Sequence, residues 1–328
     1  MVRFLRKSLP LLSIILLSNP VSLLILGLLN RALLKPFRSC FIIYPAEKKY
    51  ADYYCFDFMH HFFKHRPVVC GIYFQGTFPG LILGISATEE DFQQPGFLKD
   101  LKNKTDRIGL LIGTSTIRYA GLLSSEMHRQ KLSTSPQLKS RSASISMVVF
   151  RAEKLLREEL ALDKKTPVIL LGGGGSVGTP LKHLLNAAGR RIYIVDRNDS
   201  LPAAIQGKRA ILIDVAHKSA LEERVSELWS GIVILNEAYP SPTRAMLQKL
   251  ERLKIPVFHL AGVRGFALPT FPHAYNGGIP CCGMNDNGDS VPLIKYLTSP
   301  LLRDQVIELI AKENAENCFD SDYQSIAA

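Results

Sequence analysis

The sequence predicts an α/β chain organised around an open, mostly parallel sheet, and three observations carry that prediction. The first is the stretch PVILLGGGGSVGTPLKHLLNAAGRRIYIVDRN, residues 167–198, where an apolar run, a glycine loop, a helical pattern and a second apolar run follow in order. The second is a series of later apolar runs, ILIDVAH (211–217), GIVILNEAY (231–239) and IPVFHLAGV (255–263), separated by helix-length segments. The third is an earlier alternation of the same kind, with SCFIIYP, PVVCGIYFQGTF and LILGIS interleaved with helical patterns between residues 39 and 150. Short apolar runs bounded by turn signals read as buried strands, and their alternation with helices reads as a parallel sheet.

Within residues 167–198, the run 168–171 is short enough for a buried strand. Val177, Leu181, Leu184, Leu185 and Ala188 then recur at helical spacing, Gly189 stops the helix, and the run 192–195 ends on Asp196. Gly173, Gly175 and Gly178 satisfy G-x-G-x-x-G in the required setting, between a strand and a helix. Such glycines permit a tight turn, approach of a pyrophosphate to bare backbone, and close helix–strand packing. With Gly174, Ser176 and Val177 they would form an anion cradle at the positive end of the helix. The expectation is a Rossmann-type doubly wound parallel sheet holding a dinucleotide. The plainer alternative is a glycine-rich loop in a domain of the same build without a cofactor.

Asp196 stands at about the customary distance, ~20 residues after the loop, for an acid that accepts hydrogen bonds from ribose hydroxyls. Arg197, Arg190 and Arg191 are cations that would instead face a 2′-phosphate, so NAD and NADP both remain open. Ligands of open parallel sheets sit beyond the carboxyl ends of the strands. That rule brings Ala216, His217, Asn236, Glu237 and Gly262 toward the same crevice, with His217 either lining the nicotinamide pocket or capping the next helix.

A chain of 328 residues, 47% hydrophobic, supports two domains with substantial cores. Its formal charge of +11 favours anionic partners. No RNP-like, zinc-finger or helix-turn-helix pattern is present, so nucleic acid is not the expected partner. Six cysteines without CxxC spacing point to free thiols in a reducing compartment.

At the amino end Arg3, Arg6 and Lys7 precede residues 9–29, which carry no charge, and Arg31, Lys35 and Arg38 follow. That length matches a membrane crossing, although Asn19-Pro20 breaks it. The expectation is a retained membrane anchor, either a kinked spanning helix or a hairpin lying at the interface. A signal peptide and a buried helix pair are the alternatives. The implied organisation is an apolar anchor (1–38), a smaller α/β substrate domain (39–150) and a dinucleotide-binding domain with carboxyl-terminal helices (151–328). The protein is expected to be membrane-associated, with its catalytic part cytoplasmic.

In the substrate domain, residues 48–65 and 97–104 read as helices, and 108–117 as a strand leading into a Gly-Thr-Ser-Thr loop. His60, His61 and His65 lack the glutamate of an H-E-x-x-H site, and no metal is expected. The serine-rich, basic stretch 124–144 reads as a surface loop or lid, and 142–159 as a helix. Further on, residues 219–229 and 242–253 read as helices, and 291–315 as a closing helix pair.

AYNGGIPCCGMNDNGDS, residues 274–290, places Cys281 and Cys282 in a turn-rich segment. A thiolate near a nicotinamide would serve as an acyl-accepting nucleophile; the alternative is a pair of small buried residues.

The order of these segments resembles the aldehyde-forming long-chain acyl-carrier-protein reductases over roughly residues 105–285. IGTSTIRYAGLLSSE resembles the family's segment ahead of its linker, and RSASISMVVFRAEKLLREELALDKKTPVILLGGGGSVG its polar turn, long helix and glycine loop. GIVILNEAYPSPT resembles the late strand and its turn, with Asn236, Glu237, Ala238, Tyr239 and Pro240 at the matching positions. The resemblance implies an NAD- or NADP-dependent oxidoreductase that reduces a long-chain acyl thioester, on coenzyme A or an acyl carrier, to an aldehyde. It also implies that Cys282 or Cys281 is the nucleophile. Val177-Gly178-Thr179-Pro180 is similar to the Val-Gly-x-Pro pattern of methylenetetrahydrofolate dehydrogenases, which share this plan with shikimate dehydrogenases. That likeness implies a non-covalent dehydrogenase. A nucleotide-binding membrane protein without turnover is the third reading.

Overall fold

The computed structural model describes residues 2–33, 36–45, 51–52, 56–75, 78–132, 135–216, 219–239, 241–271, 275, 278–284 and 290–298. The chain is mixed α/β and divides into two compact units. One comprises Met1–Ile145 with Gly262–Val291, the other Ser146–Ala261 with Pro292–Ala328. The division near residue 150 expected from the sequence omits the return of 262–291 to the first unit.

The first unit opens with α1 (Val2–Leu17) and α2 (Pro20–Ala32). Pro20 disfavours helical backbone at the preceding residue. Asn19 stays extended and caps α2 by accepting the Ser22 N–H on Oδ1 at 2.8 Å. Among the described residues no helix is long and apolar enough to cross a membrane. The expected spanning helix over 9–29 is therefore replaced by two shorter helices. Ser18 Oγ accepts the Val69 N–H at 2.9 Å, tying their junction to the sheet.

That sheet contains β1 (Ser39–Ile43), β2 (Val68–Gln75), β3 (Phe78–Gly84), β4 (Thr116–Tyr119) and β10 (Phe266–Leu268), in the order β10-β2-β3-β1-β4. β1 pairs in parallel with β3 and β4, whereas β2 is antiparallel to both β3 and β10. Between the strands lie α3 (Asp57–Phe62), α4 (Phe97–Ile112) and α5 (Gly121–Arg129).

Two expectations fail in this unit. Residues 108–112 are the last turns of α4, not a strand. Leu98, Leu101, Thr105, Gly109 and Ile112 are buried at helical spacing, and a five-residue apolar run cannot by itself distinguish the two structures. The serine-rich stretch is not a loop either, because α5 and then α6 (Ser135–Glu159) take up most of it. On α3, His60 Nε2 lies 3.5 Å from the exposed Asp52 carboxylate. His65 packs its ring on Phe97.

The second unit holds β5 (Val168–Leu171), β6 (Ile192–Val195), β7 (Ala210–Asp214), β8 (Ile232–Asn236), β9 (Val257–Val263) and β11 (Pro292–Tyr296). They lie in the order β6-β5-β7-β8-β9-β11. The ladders from β6 across to β9 are all parallel. Every residue of β5, β7 and β8 is buried, as expected of parallel strands covered on both faces. α7 (Gly178–Ala187) links β5 to β6, and α8 (Arg244–Arg252) precedes β9.

The helix expected over 219–229 shrinks to Ala220–Glu223 and a 3-10 turn. In place of the expected helix at 291 the chain adds β11, and residues 299–315 lie outside the described residues.

Glu153 on α6, fully buried, pins this helix to the sheet. Its Oε1 accepts from Arg157 Nε at 2.8 Å and lies 3.2 Å from Arg190 Nε. Arg157 also donates to the Thr166 carbonyl just ahead of β5.

Candidate functional site

Because β5 sits between β6 and β7, the chain leaves β5 in one direction for β6 and crosses in the other to reach β7. Open parallel sheets bind ligands at such a reversal, beyond the carboxyl ends of the strands. A crevice of about 290 Å³ lies there, lined by the ends of β5, β6 and β7 and by Gly172, Gly175, Ser176, Val177 and Arg224.

The glycine loop is shaped by contacts that a side chain would destroy. Gly172 adopts φ +85°, and a Cβ there would lie 2.8 Å from Ala216 Cα. It is the turn glycine, and it lies one residue before the motif frame taken from the sequence. A Cβ on Gly173 would meet Ile194 Cγ2 at 2.7 Å, and one on Gly178 would run into the Gly172 carbonyl. α7 starts at Gly178 as expected.

Ser146 Oγ donates to the Val177 carbonyl at 2.6 Å, fixing α6 against the loop. Among the described residues the N–H groups of Ser176 and Val177 have no hydrogen-bond partner, and both residues line the crevice. Unpartnered N–H groups at a helix start are the chemistry of an anion site. The loop residues therefore fit the phosphates of a dinucleotide.

Asp196 follows β6 and stands over the loop, where its Oδ1 accepts the Gly174 N–H at 3.1 Å. Arg197 also lines the crevice, but the other two expected cations do not. Arg190 is spent on Glu153, and Arg191 lies over the Tyr193 ring at the amino end of β6. The cation that sequence reasoning missed is Arg224. Only 8% exposed, it donates from Nη2 to the backbone carbonyls of Asp196 at 2.6 Å and Arg197 at 3.0 Å. Its Nε has no partner among the described residues.

Ala216 forms the opposite wall, held by its N–H to Asp214 Oδ1 at 3.0 Å. Burial pushes the Asp214 carboxyl up to about 7. Further along the same strand ends, His259 Nδ1 stands 2.9 Å from Asn236 Nδ2 and 3.1 Å from the Asn236 carbonyl oxygen. Burial pushes His259 down to about 4. His217 lies outside the described residues.

Cys281 and Cys282 belong to the first unit, in a 3-10 turn over Cys281–Gly283. Gly283 packs on the Phe41 ring, so closely that a Cβ would lie 2.7 Å from Cε1. Cys281 is buried and Cys282 half-buried, and neither forms a disulfide. Cys282 lies within electrostatic reach of Tyr44, the residue following β1, whose hydroxyl is pushed up mainly by burial and then by Glu89. That hydroxyl donates to Glu89 Oε1 at 3.3 Å and accepts the Leu122 N–H at 3.1 Å near the start of α5. Tyr44 is not marked by the sequence, and Glu89 reads there only as part of a helix start at Thr88-Glu89-Glu90-Asp91.

No known family model matches the chain, and no curated protein matches it.

Proposed function

We propose that the second unit has a Rossmann-type fold and binds NAD or NADP, and that the chain is an NAD(P)-dependent oxidoreductase. The observation that carries this reading is the glycine loop at the strand-order reversal, where Ser176 and Val177 line the crevice and their N–H groups are unpartnered among the described residues. Gly172, Gly173 and Gly178 let the loop pack closely on Ala216, Ile194 and its own backbone, and Gly172 and Gly175 line the crevice without a side chain, as approach of a pyrophosphate requires. Ser176 and Val177 hold the phosphates, Asp196 takes the ribose hydroxyls, and Arg197 and Arg224 supply positive charge beside them. The bound dinucleotide supplies a hydride.

The substrate we infer is an activated acyl group, a thioester of coenzyme A or an acyl carrier. Cys282, the more exposed of the cysteine pair, is the acceptor. Its thiolate attacks the acyl carbonyl carbon, the bond to the carrier's sulfur breaks, and the carrier leaves as a thiolate that takes up a proton. Reduction of that acyl group, the chemistry a bound dinucleotide would supply, would free the aldehyde and restore the Cys282 thiolate. His217 is the residue proposed to attend the carbonyl.

A second reading rests on the packing of Gly283 against Phe41, which favours a structural role for the cysteine turn. The protein is then a non-covalent dehydrogenase. Incubation with an acyl-coenzyme A, followed by intact-mass analysis of the wild type and of Cys282→Ala, separates the two. An adduct lost in the variant supports acyl transfer, and its absence from the wild type leaves the second reading.

A further inference from the structure

The two amino-terminal helices pose a question that the crevice does not answer. α2 is fixed to its unit by one face: Leu23 and Asn30 are buried, and Gly27 packs against the Leu111 backbone carbonyl. Asn30 Nδ2 donates to the carbonyls of Phe37 at 3.0 Å and Ile112 at 3.1 Å, and Arg31 Nη2 donates to that of Leu110 at 2.9 Å. The bonds to Ile112 and Leu110 satisfy open carbonyls at the end of α4.

The other face of α2 carries Val21, Leu24, Ile25, Leu28 and Leu29, all about half exposed or more. α1 adds Leu12, Ile15 and Leu16, at the i, i+3, i+4 spacing of a single stripe. More than half of the large apolar side chains exposed among the described residues lie between 12 and 33. Soluble surfaces rarely show so much contiguous apolar sequence without a partner.

Charge identifies the partner. Residues 1–46 contain Arg3, Arg6, Lys7, Arg31, Lys35 and Arg38 and not one carboxylate, the first being Glu47. Pairing this surface with a second copy would set two cationic segments against each other. An anionic lipid surface offers apolar depth and negative charge together. At 1.5 Å per residue the 16 residues of α1 and 13 of α2 extend about 24 Å and about 20 Å. Both fall short of the ~30 Å hydrocarbon core.

We propose that α1 and α2 form a monotopic membrane-binding surface, inserted into one leaflet of an anionic bilayer through Leu12, Ile15, Leu16, Val21, Ile25 and Leu28. The inference is independent of the dinucleotide reading and of the substrate.

The test is flotation of the full chain with phosphatidylcholine vesicles, with and without phosphatidylserine. The wild type floats with the anionic vesicles, and added salt weakens the association. Ile25→Glu and Leu28→Glu each lose on the order of tenfold in partitioning, with an unchanged circular dichroism spectrum. Should either variant fail to fold, a carbene photolabel dissolved in the vesicles gives an answer on the wild type, with tags expected within residues 12–33. Absence of flotation, tags confined to other residues, or full binding by both folded variants overturns the proposal. So does a wild-type dimer that Ile25→Glu converts to monomer without any vesicle association.

Discussion

The guanidinium of Arg224 donates to the backbone carbonyl of Asp196 at 2.6 Å, so a buried cation at the end of the short helix Ala220–Glu223 holds the backbone of the acid that follows β6. The same group reaches the Arg197 carbonyl. Through these bonds the short helix that follows β7 is joined to the backbone that leaves β6, with all three residues lining the crevice.

Arg224→Met keeps the bulk of the side chain and removes its donors. Charge-assisted hydrogen bonds of this kind contribute about 1.5–3 kcal/mol. The variant is expected to lose stability of that order in urea denaturation, and to bind NADH or NADPH at least about tenfold more weakly.

Gly172→Ala introduces a Cβ into a backbone at φ +85° and against Ala216. The strain is on the order of 1–3 kcal/mol, and the loop must shift to relieve it. Nucleotide binding should disappear, while the mutation of Gly207, also at positive φ but with open space around it, should leave binding intact.

Glu153→Gln leaves Arg157 and Arg190 buried without their counter-charge. Breaking one side of a buried ion pair costs about 3–5 kcal/mol. Urea denaturation of the variant should show a loss in that range, with α6 the affected element.

Asp214 and His259 oppose one another in pH dependence. Folding raises Asp214 from 3.8 to about 7, so the folded state holds its proton more tightly. Its contribution is full at low pH and falls away as pH rises from about 4 to about 7. Folding lowers His259 from 6.5 to about 4, so its contribution is full above 6.5 and is lost as pH falls toward 4. Each amounts to a few kcal/mol at about 1.4 kcal/mol per tenfold.

The two slopes offset in the wild type. Asp214→Asn, which keeps an acceptor for the Ala216 N–H, should therefore gain stability as pH rises from 4 to 6.5. His259→Asn should lose stability as pH rises from 4 to 7. Thermal melts across that range check both signs.

Much of the second unit was legible because β5, β7 and β8 are almost uninterrupted apolar runs, the pattern of strands buried on both sides. The first unit was harder. Residues 108–112 look like a strand in isolation, and only the buried positions back to Leu98 reveal the helix. The serines and basic residues of 135–144 suggested a loop, since polar composition hides the start of α6.

At the candidate site, Gly175 and Asp196, which line the crevice, were marked by spacing alone. Arg224 was not, because its role depends on a crossing between strands that no local pattern encodes. Gly172 stood in plain sight among four glycines. Its positive φ, which the letters do not record, singles it out.

Isothermal titration calorimetry of the full-length protein with NADH and NADPH tests the dinucleotide site most directly. The wild type should bind at least one of them with one-to-one stoichiometry, and Gly172→Ala and Gly178→Ala should abolish the signal while remaining folded. Absence of binding by the wild type, or undiminished binding by both folded variants, would contradict the account.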